Sequence, residues 1–270
     1  MKVNELLEYS VFKNHLLSLI PPHPISYSVS PAQQQKELAS LKETIGSRRF
    51  FFVTNLENYE IEYAQGIERW LGYSERDFTM KKYLDILHPG RKKTVLMIAL
   101  HLYNTLCTGK YTLNFMVQRY SSLIAVKHYR GHYILANKIS SVFQYDTSNR
   151  LTACLHEFTI VNEEYSGEPL APKFFTSMGE DEIRGVEILQ KIVEHFARMK
   201  VFSAKELQVA RKLAYEPGIK QKQVADLLQI SQDDLHQYYS RLLKKARDFF
   251  HHEFTNTVDA ALYLRKEGLI

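Results

Sequence analysis

Cysteine is nearly absent. The chain has two, Cys107 and Cys154, too few for a disulfide framework, and neither lies in a CxxC or Cys/His cluster with zinc-like spacing, so no metal site is expected. Long apolar runs are missing as well. The longest, around Val95 to Tyr103, falls far short of the roughly 20 residues that cross a bilayer, and "MKVNELLEYS" is acidic and polar where a secretory signal has its apolar core. These absences point to a cytoplasmic protein with no membrane partner. Catalytic signatures are lacking too: there is no Gly-x-Ser-x-Gly elbow, P-loop, HExxH or dinucleotide fingerprint. His88, His128 and His132 stand among aromatics with no carboxylate or cysteine at a convincing spacing. No enzyme and no catalytic residue are therefore expected. Repeats, low-complexity tracts, a receiver phosphoacceptor pattern and a histidine-kinase core are also missing.

What is there reads as a packed globular protein. With 270 residues, 12% of them aromatic, the chain has room for two modest domains. The net charge of +5 permits an anionic partner without demanding one. Residues 1–47 form a helical flank: apolar positions at Leu6, Leu7, Val11, Leu16 and Leu19 predict one amphipathic helix, "PPHP" at 21–24 stops it, and a second polar helix is expected from about Pro31 to Ile45.

From 48 to 162 the texture changes. "RFFFVTNL", "YEIEYA", "KYTLNFMVQRY", "HYRGHYILANKISSVFQYD" and "RLTACLHEFTIV" are rich in aromatic and β-branched residues and predict about five strands. Between the second and third lies a helical block, "GIERWLGYS", "YLDILHPG" and "TVLMIALHLYNTL". The fold class is thus α+β, an antiparallel five-stranded sheet with helices on one face, ahead of an all-α domain.

That order, with "IEYAQGIERWLGYSERDF" (61–78), "ILHPG" (86–90) and the "YRGHYIL" hairpin (129–135), resembles a PAS sensor domain. The resemblance implies a sheet and covering helices that enclose a small-molecule pocket or transmit a dimer rearrangement. "YLDILHP" offers no cysteine for a flavin adduct, which excludes that subtype. Haem would use His101 on the long helix, but lone helical histidines are more often solvent-facing or hydrogen-bonded, so no cofactor is assigned. A small-molecule ligand stays open. Tyr63, Trp70, Phe115 and Tyr133 either line a pocket or belong to ordinary core.

Residues 163–200 read as a linker followed by a connecting helix. "EEYSGEPLAPKFFTSMGED" has two prolines, two glycines and no sustained period. Next, Ile183, Val186, Leu189, Val193 and Phe196 draw an apolar stripe along one helix, which packs within the chain or against a second copy.

Residues 201–270 carry the sharpest local signals. Ser203 and Glu206 make a capping box, with Phe202 and Leu207 as its hydrophobic staple. "YEPGIK" breaks that helix, "QKQVADLL" makes a short second one, and Ser231 caps a third, placing Asp233 and Asp234 where helix amides are free and the dipole is positive. At about 100° per residue, Leu235, Tyr239, Leu242, Ala246 and Phe249 form a buried stripe. The opposite arc carries His236, Gln237, Ser240, Arg241 and Lys244, with Tyr238 and Lys245 on its flanks. Gln and Arg read adenine and guanine edges, and lysines attract phosphate. A solvated face on a small bundle is the bland alternative.

From "FSAKELQVARKLA" through "KQKQVADLLQIS" and "YYSRLLKKA" to "NTVDAALYLRKEGLI", residues 202–270 resemble the LuxR-type helix-turn-helix domain. The resemblance implies four helices, the third in the major groove and the fourth supporting dimerisation. It places Lys222 on the DNA backbone and His236, Gln237 and Arg241 with Lys244 at bases and phosphates; Gln232, Ser240 and Lys245 complete the candidate DNA-binding set. Where that family has threonine, valine and a basic residue, this chain has Asp234, Leu235 and His236, which implies weaker or dimer-dependent binding. The expectation is a transcription regulator in which a PAS-like sensor controls a homodimer on double-stranded DNA. The alternative is a protein-interaction adaptor whose helical domain does not touch DNA.

Overall fold

The computed structural model describes residues 9–20, 26–46, 48–165, 172–176, 201–250, 252–266 and 269–270, without the side chains of His101 and of 172–176. The stripe of the connecting helix lies outside these residues. The chain divides into two compact units, one holding the sheet and one the C-terminal helices.

The first unit is built on β1 (Arg49–Asn55), β2 (Glu60–Gln65), β3 (Gln118–Lys127), β4 (Tyr133–Tyr145), β5 (Leu151–Asn162) and β6 (Pro172–Thr176). Their spatial order is β2-β1-β5-β4-β3-β6, and every neighbouring pair is antiparallel. Because β-strand side chains alternate, "RFFFV" in β1 feeds both faces: Phe50 and Phe52 go to one, Phe51 and Val53 to the other. All four are at most 3% exposed, and burial of each phenylalanine contributes about 2–3 kcal/mol.

The helices sort onto these two faces. On one, α2 (Pro31–Glu43) contributes Leu41 to a cluster with Phe51, Val53, Phe143, Ala153 and Leu155. Ser30 caps α2 by accepting from the Gln33 amide, and Pro31 occupies its first turn, where no amide is missed. Tyr63 and Phe115 pack against this same cluster, so they are core rather than pocket. On the inner face, α4 (Met80–Ile86) lays Tyr83 edge-on to Phe52 and Phe158, and Met80 Sδ accepts from Thr54 Oγ1 at 3.3 Å. The short α3 (Ile67–Leu71) ends at Gly72, whose positive φ of 76° only glycine adopts easily. A side chain there would also strike the Tyr129 ring. The long α5 (Pro89–Leu106) follows, and α1 (Tyr9–Leu17) buries Phe12 and Leu16.

Three features depart from the sequence expectation. The third strand was expected over 110–120, but β3 starts at Gln118. Gln118 and Arg119 side chains instead fold residues 112–118 into a turn, bonding the Thr112 carbonyl, the Asn114 amide and the Met116 carbonyl. The alternation in "TLNFMV" comes from a turn that buries Leu113, not from a ladder. A sixth strand also forms inside the segment read as a connector: β6 pairs with β3 from Gln118↔Thr176 to Ser122↔Pro172. Proline is tolerated at the start of such an edge strand, so "PKFFT" can pair despite its first residue. Finally, the fourth expected strand, read as starting at His128, begins at Tyr133, after a hairpin turn in which Gly131 has positive φ.

Among its described residues the second unit has four helices: α6 (Ala204–Tyr215), α7 (Gln221–Leu228), α8 (Gln232–Phe250) and α9 (Thr257–Lys266). Its core gathers Phe202, Val209, Leu213, Val224, Leu235, Leu242, Phe250, Phe254 and Leu264, each at most 4% exposed. Replacing a fully buried ring such as Phe250 with alanine would cost about 3–5 kcal/mol.

Candidate nucleic-acid interface

The site is built from the α7–turn–α8 segment. α7 closes with a Schellman arrangement: the Gln229 amide bonds the Asp226 carbonyl at 3.2 Å and the Ile230 amide bonds the Ala225 carbonyl at 3.0 Å. Gln229 itself has φ of 52°, the left-handed region in which glycine is usual. This closure sets the turn into α8.

α8 begins as the sequence predicts. Ser231 Oγ accepts from the Asp234 amide at 3.0 Å and donates to Asp234 Oδ2 at 2.7 Å. Asp234 is thereby tied to its own cap, and with Asp233 it sits against the positive end of the helix dipole. Their negative charge is locally engaged. It still subtracts from the potential that would draw a phosphate.

Along α8 the two faces separate cleanly. Leu235, Leu242 and Ala246 are completely buried and Phe249 nearly so, which anchors the helix on α6 and α7. Gln232, His236, Gln237, Ser240, Arg241 and Lys244 are all exposed, and Lys222 is exposed on α7. Tyr239, expected in the buried stripe, is half-buried, with Thr257 Oγ1 donating to its carbonyl at 3.4 Å.

Side-chain contacts tune this exposed arc. Arg241 Nη2 donates to Gln237 Oε1 at 3.1 Å, so two predicted base readers are held as a couple one helical turn apart. His236 Nε2 lies 3.0 Å from Gln221 Oε1, joining α8 to the start of α7. Lys245 behaves differently from its neighbours. It bridges to Glu206 Oε2 at 2.7 Å, and Glu206 is only 2% exposed. Its ammonium is therefore committed to the α6 cap, a pairing that the sequence pattern alone gave no means to see.

Residues 201–250 carry nine Lys or Arg against six acidic residues. Lys245 is paired with Glu206 and Lys212 with Glu216 at 2.8 Å, which leaves Arg241 and Lys244 as the exposed cations of the α8 arc. On the other side of α6 an open groove of about 470 Å³ runs between Lys205, Arg211, Tyr215 and Leu227. Among the described residues there is no cluster of His, Cys, Asp or Glu able to hold a metal, and no helix is long and apolar enough to cross a membrane.

No protein-family model matches the chain, and no curated protein matches it. Solved structures offer distant likenesses. The N-terminal domain of a diguanylate cyclase with PAS/PAC sensor from Marinobacter aquaeolei is 17% identical, covers 42% of this chain and 95% of its own, and superposes with a TM-score of 0.34. The Vibrio cholerae VqmA dimer, described among LuxR-type receptors, is 13% identical over 87% of this chain and 88% of its own, with a TM-score of 0.32. A VqmA complex with ligand and DNA is 14% identical over 87% and 89%, with a TM-score of 0.31. Scores and identities this low assign neither a function nor a ligand to this chain.

Proposed function

We propose that the chain is a transcription regulator in which the sheet unit senses a signal and the helical unit binds double-stranded DNA, acting as a homodimer on paired half-sites. The observation that carries this reading is the exposed arc of α8. Gln237, Ser240, Arg241 and Lys244 lie together on it, backed by a buried stripe and preceded by a capped helix start. A helix so anchored has the rigidity that base readout needs, and its side chains are the types that recognise base edges and phosphates. Ligand or partner contact, rather than phosphorylation or catalysis, sets its state in this reading. Lys222 contributes a phosphate contact from α7, and Lys245 supports the fold.

The test is titration of the purified protein onto pooled fragments of its own genome at low and moderate salt, beside an Arg241→Ala, Lys244→Ala double variant. Selective enrichment that falls with salt and vanishes in the variant supports the regulator. Each lost phosphate contact should lower the log-log salt slope by about 0.9. Absence of enrichment at low salt leaves two readings, a sensor awaiting its ligand or the adaptor, for which the exposed Asp233 and the acidic helix start would be interaction groups.

A further inference from the structure

The groove between α6 and α7 takes no part in the DNA-binding reading. It holds about 470 Å³, room for a few side chains rather than for a whole domain. Lys205, Gln208, Lys212 and Tyr215 recur every three or four residues, so they form one stripe along α6. Leu227 lines the groove from α7, and among the described residues no α8 side chain does.

Two of the lining residues break the usual sorting of apolar groups. Tyr215 is 54% exposed and Leu227 55%, while Val224 and Ala225 already supply the buried side of α7. Single exposed apolar residues are ordinary, but these two share one groove, and Tyr215 is held in place there. Arg265 Cζ lies 4.2 Å from the centre of its ring, Arg265 Nη1 is itself anchored on the Ala214 carbonyl at 2.9 Å, and the Tyr215 hydroxyl donates to the Ile270 main-chain oxygen at 3.2 Å. An exposed aromatic fixed in this way loses little further freedom when a partner closes over it. The charge around the pair is positive. Lys212 is matched by Glu216 at 2.8 Å, but Lys205 donates to a neutral group, the Leu228 carbonyl at 3.0 Å, and among the described residues neither it nor Arg211 meets a carboxylate. Two uncompensated cations thus flank two exposed apolar side chains. A DNA duplex would reward the cations and leave Tyr215 and Leu227 idle, whereas a peptide with carboxylates beside an apolar residue engages all four.

We propose that this groove docks a short acidic peptide segment of a partner protein, one that carries an aliphatic or aromatic anchor among its carboxylates. The anchor packs on Tyr215 and Leu227, and the carboxylates accept from Lys205 and Arg211. The site goes beyond the DNA-binding reading and does not depend on it, since no residue of the α8 arc takes part.

Selection of displayed random short peptides on the full chain tests it, the enriched peptides being synthesised and titrated by fluorescence anisotropy. They should combine Asp or Glu with an aliphatic or aromatic residue, and exchanging that residue for serine should abolish binding. Leu227→Ser and Arg211→Glu should each weaken them about tenfold, the loss expected at an interface anchor. Both side chains are exposed, so the thermal midpoints of these variants should match that of the natural chain. The Arg241→Ala, Lys244→Ala double variant should bind the peptides unchanged. The proposal is overturned by a selection that enriches nothing, by enriched peptides without acidic groups, by serine-exchanged peptides that still bind, or by groove variants that bind as well as the natural chain. It is equally overturned if duplex DNA displaces the peptides from the double variant, which would make the groove a phosphate surface. Because the readout needs no DNA, a failed genome titration leaves the groove intact, and its own failure leaves the DNA-binding reading intact.

Discussion

Lys245 Nζ and Glu206 Oε2 meet at 2.7 Å, and the same carboxylate oxygen accepts from the Ser203 amide at 2.6 Å. One buried acid thus closes the α6 capping box and ties α8 to it. Glu206→Ala removes both bonds at once and should lower stability by about 2–3 kcal/mol. Lys245→Met keeps the cap but strands the buried Glu206 carboxylate without its cation, and should cost about 1–2 kcal/mol. Urea midpoints of the two variants provide the check, and equal losses would mean that the cap rather than the bridge is irrelevant.

The two aspartates at the start of α8 should separate under mutation. Asp234 is bonded through both its amide and its carboxylate to Ser231, whereas no hydrogen bond holds the exposed Asp233 side chain among the described residues. Asp233→Ala should strengthen binding to random duplex DNA several-fold, with a stability loss below about 1 kcal/mol from the helix dipole. Asp234→Ala should cost more stability for a similar gain. Fluorescence anisotropy at low salt and thermal melts distinguish the pair.

Gln229 occupies a left-handed conformation at the end of α7, which costs a residue with a Cβ roughly 1 kcal/mol. Gln229→Gly should therefore stabilise the protein by about 0.5 kcal/mol after glycine's greater unfolded-state entropy is subtracted. A small upward shift of the urea midpoint is the expected result, and a downward shift would mean that the Gln229 side chain contributes more than its backbone strain costs.

Lys138, buried in β4, should leave a mark on the pH dependence of stability. Its native value of about 8 lies below the ordinary 10.5, so between these limits the unfolded chain binds more protons and stability from this group rises with pH. Below about pH 8 both states are protonated and the penalty is fully present. Lys138→Met should accordingly be more stable than the natural chain near pH 7 by about 3 kcal/mol, the advantage shrinking as pH climbs from 8 towards 10.5. Denaturant midpoints of both chains at pH 7 and pH 10 measure it, and a constant difference would contradict the buried charge.

Much of the fold could be read from local chemistry. Ser203 with Glu206 and Ser231 before two aspartates announce helix starts through groups adjacent in sequence, each forms as expected, and the polar helix expected from Pro31 starts there. The α8 arc follows from period alone. What escaped reading depends on partners far along the chain. Gln118 satisfies backbone groups that make 112–118 a turn, and β6 exists because β3 offers it an edge. Lys138 shares its inward parity with Ile134 and Ala136, which was a visible signal, but a single lysine in an apolar strand reads as an exposed exception until the sheet is covered on that face. Lys245 fell on the flank of the α8 arc, and only the position of α6 reveals its commitment to Glu206.

The hydrogen bond from Arg241 to Gln237 has an evolutionary consequence. With Gln237 Oε1 occupied, the couple presents mainly donors outward, so in the proposed DNA-binding role the two positions would act as one reader rather than two. Glutamate at 237 would clamp the guanidinium, and leucine would release it, so either change alters what Arg241 offers without touching Arg241. Under the DNA-binding proposal, descendants of this chain that came to prefer another binding sequence would have to change 237 and 241 together, or pass through an intermediate that reads neither sequence well.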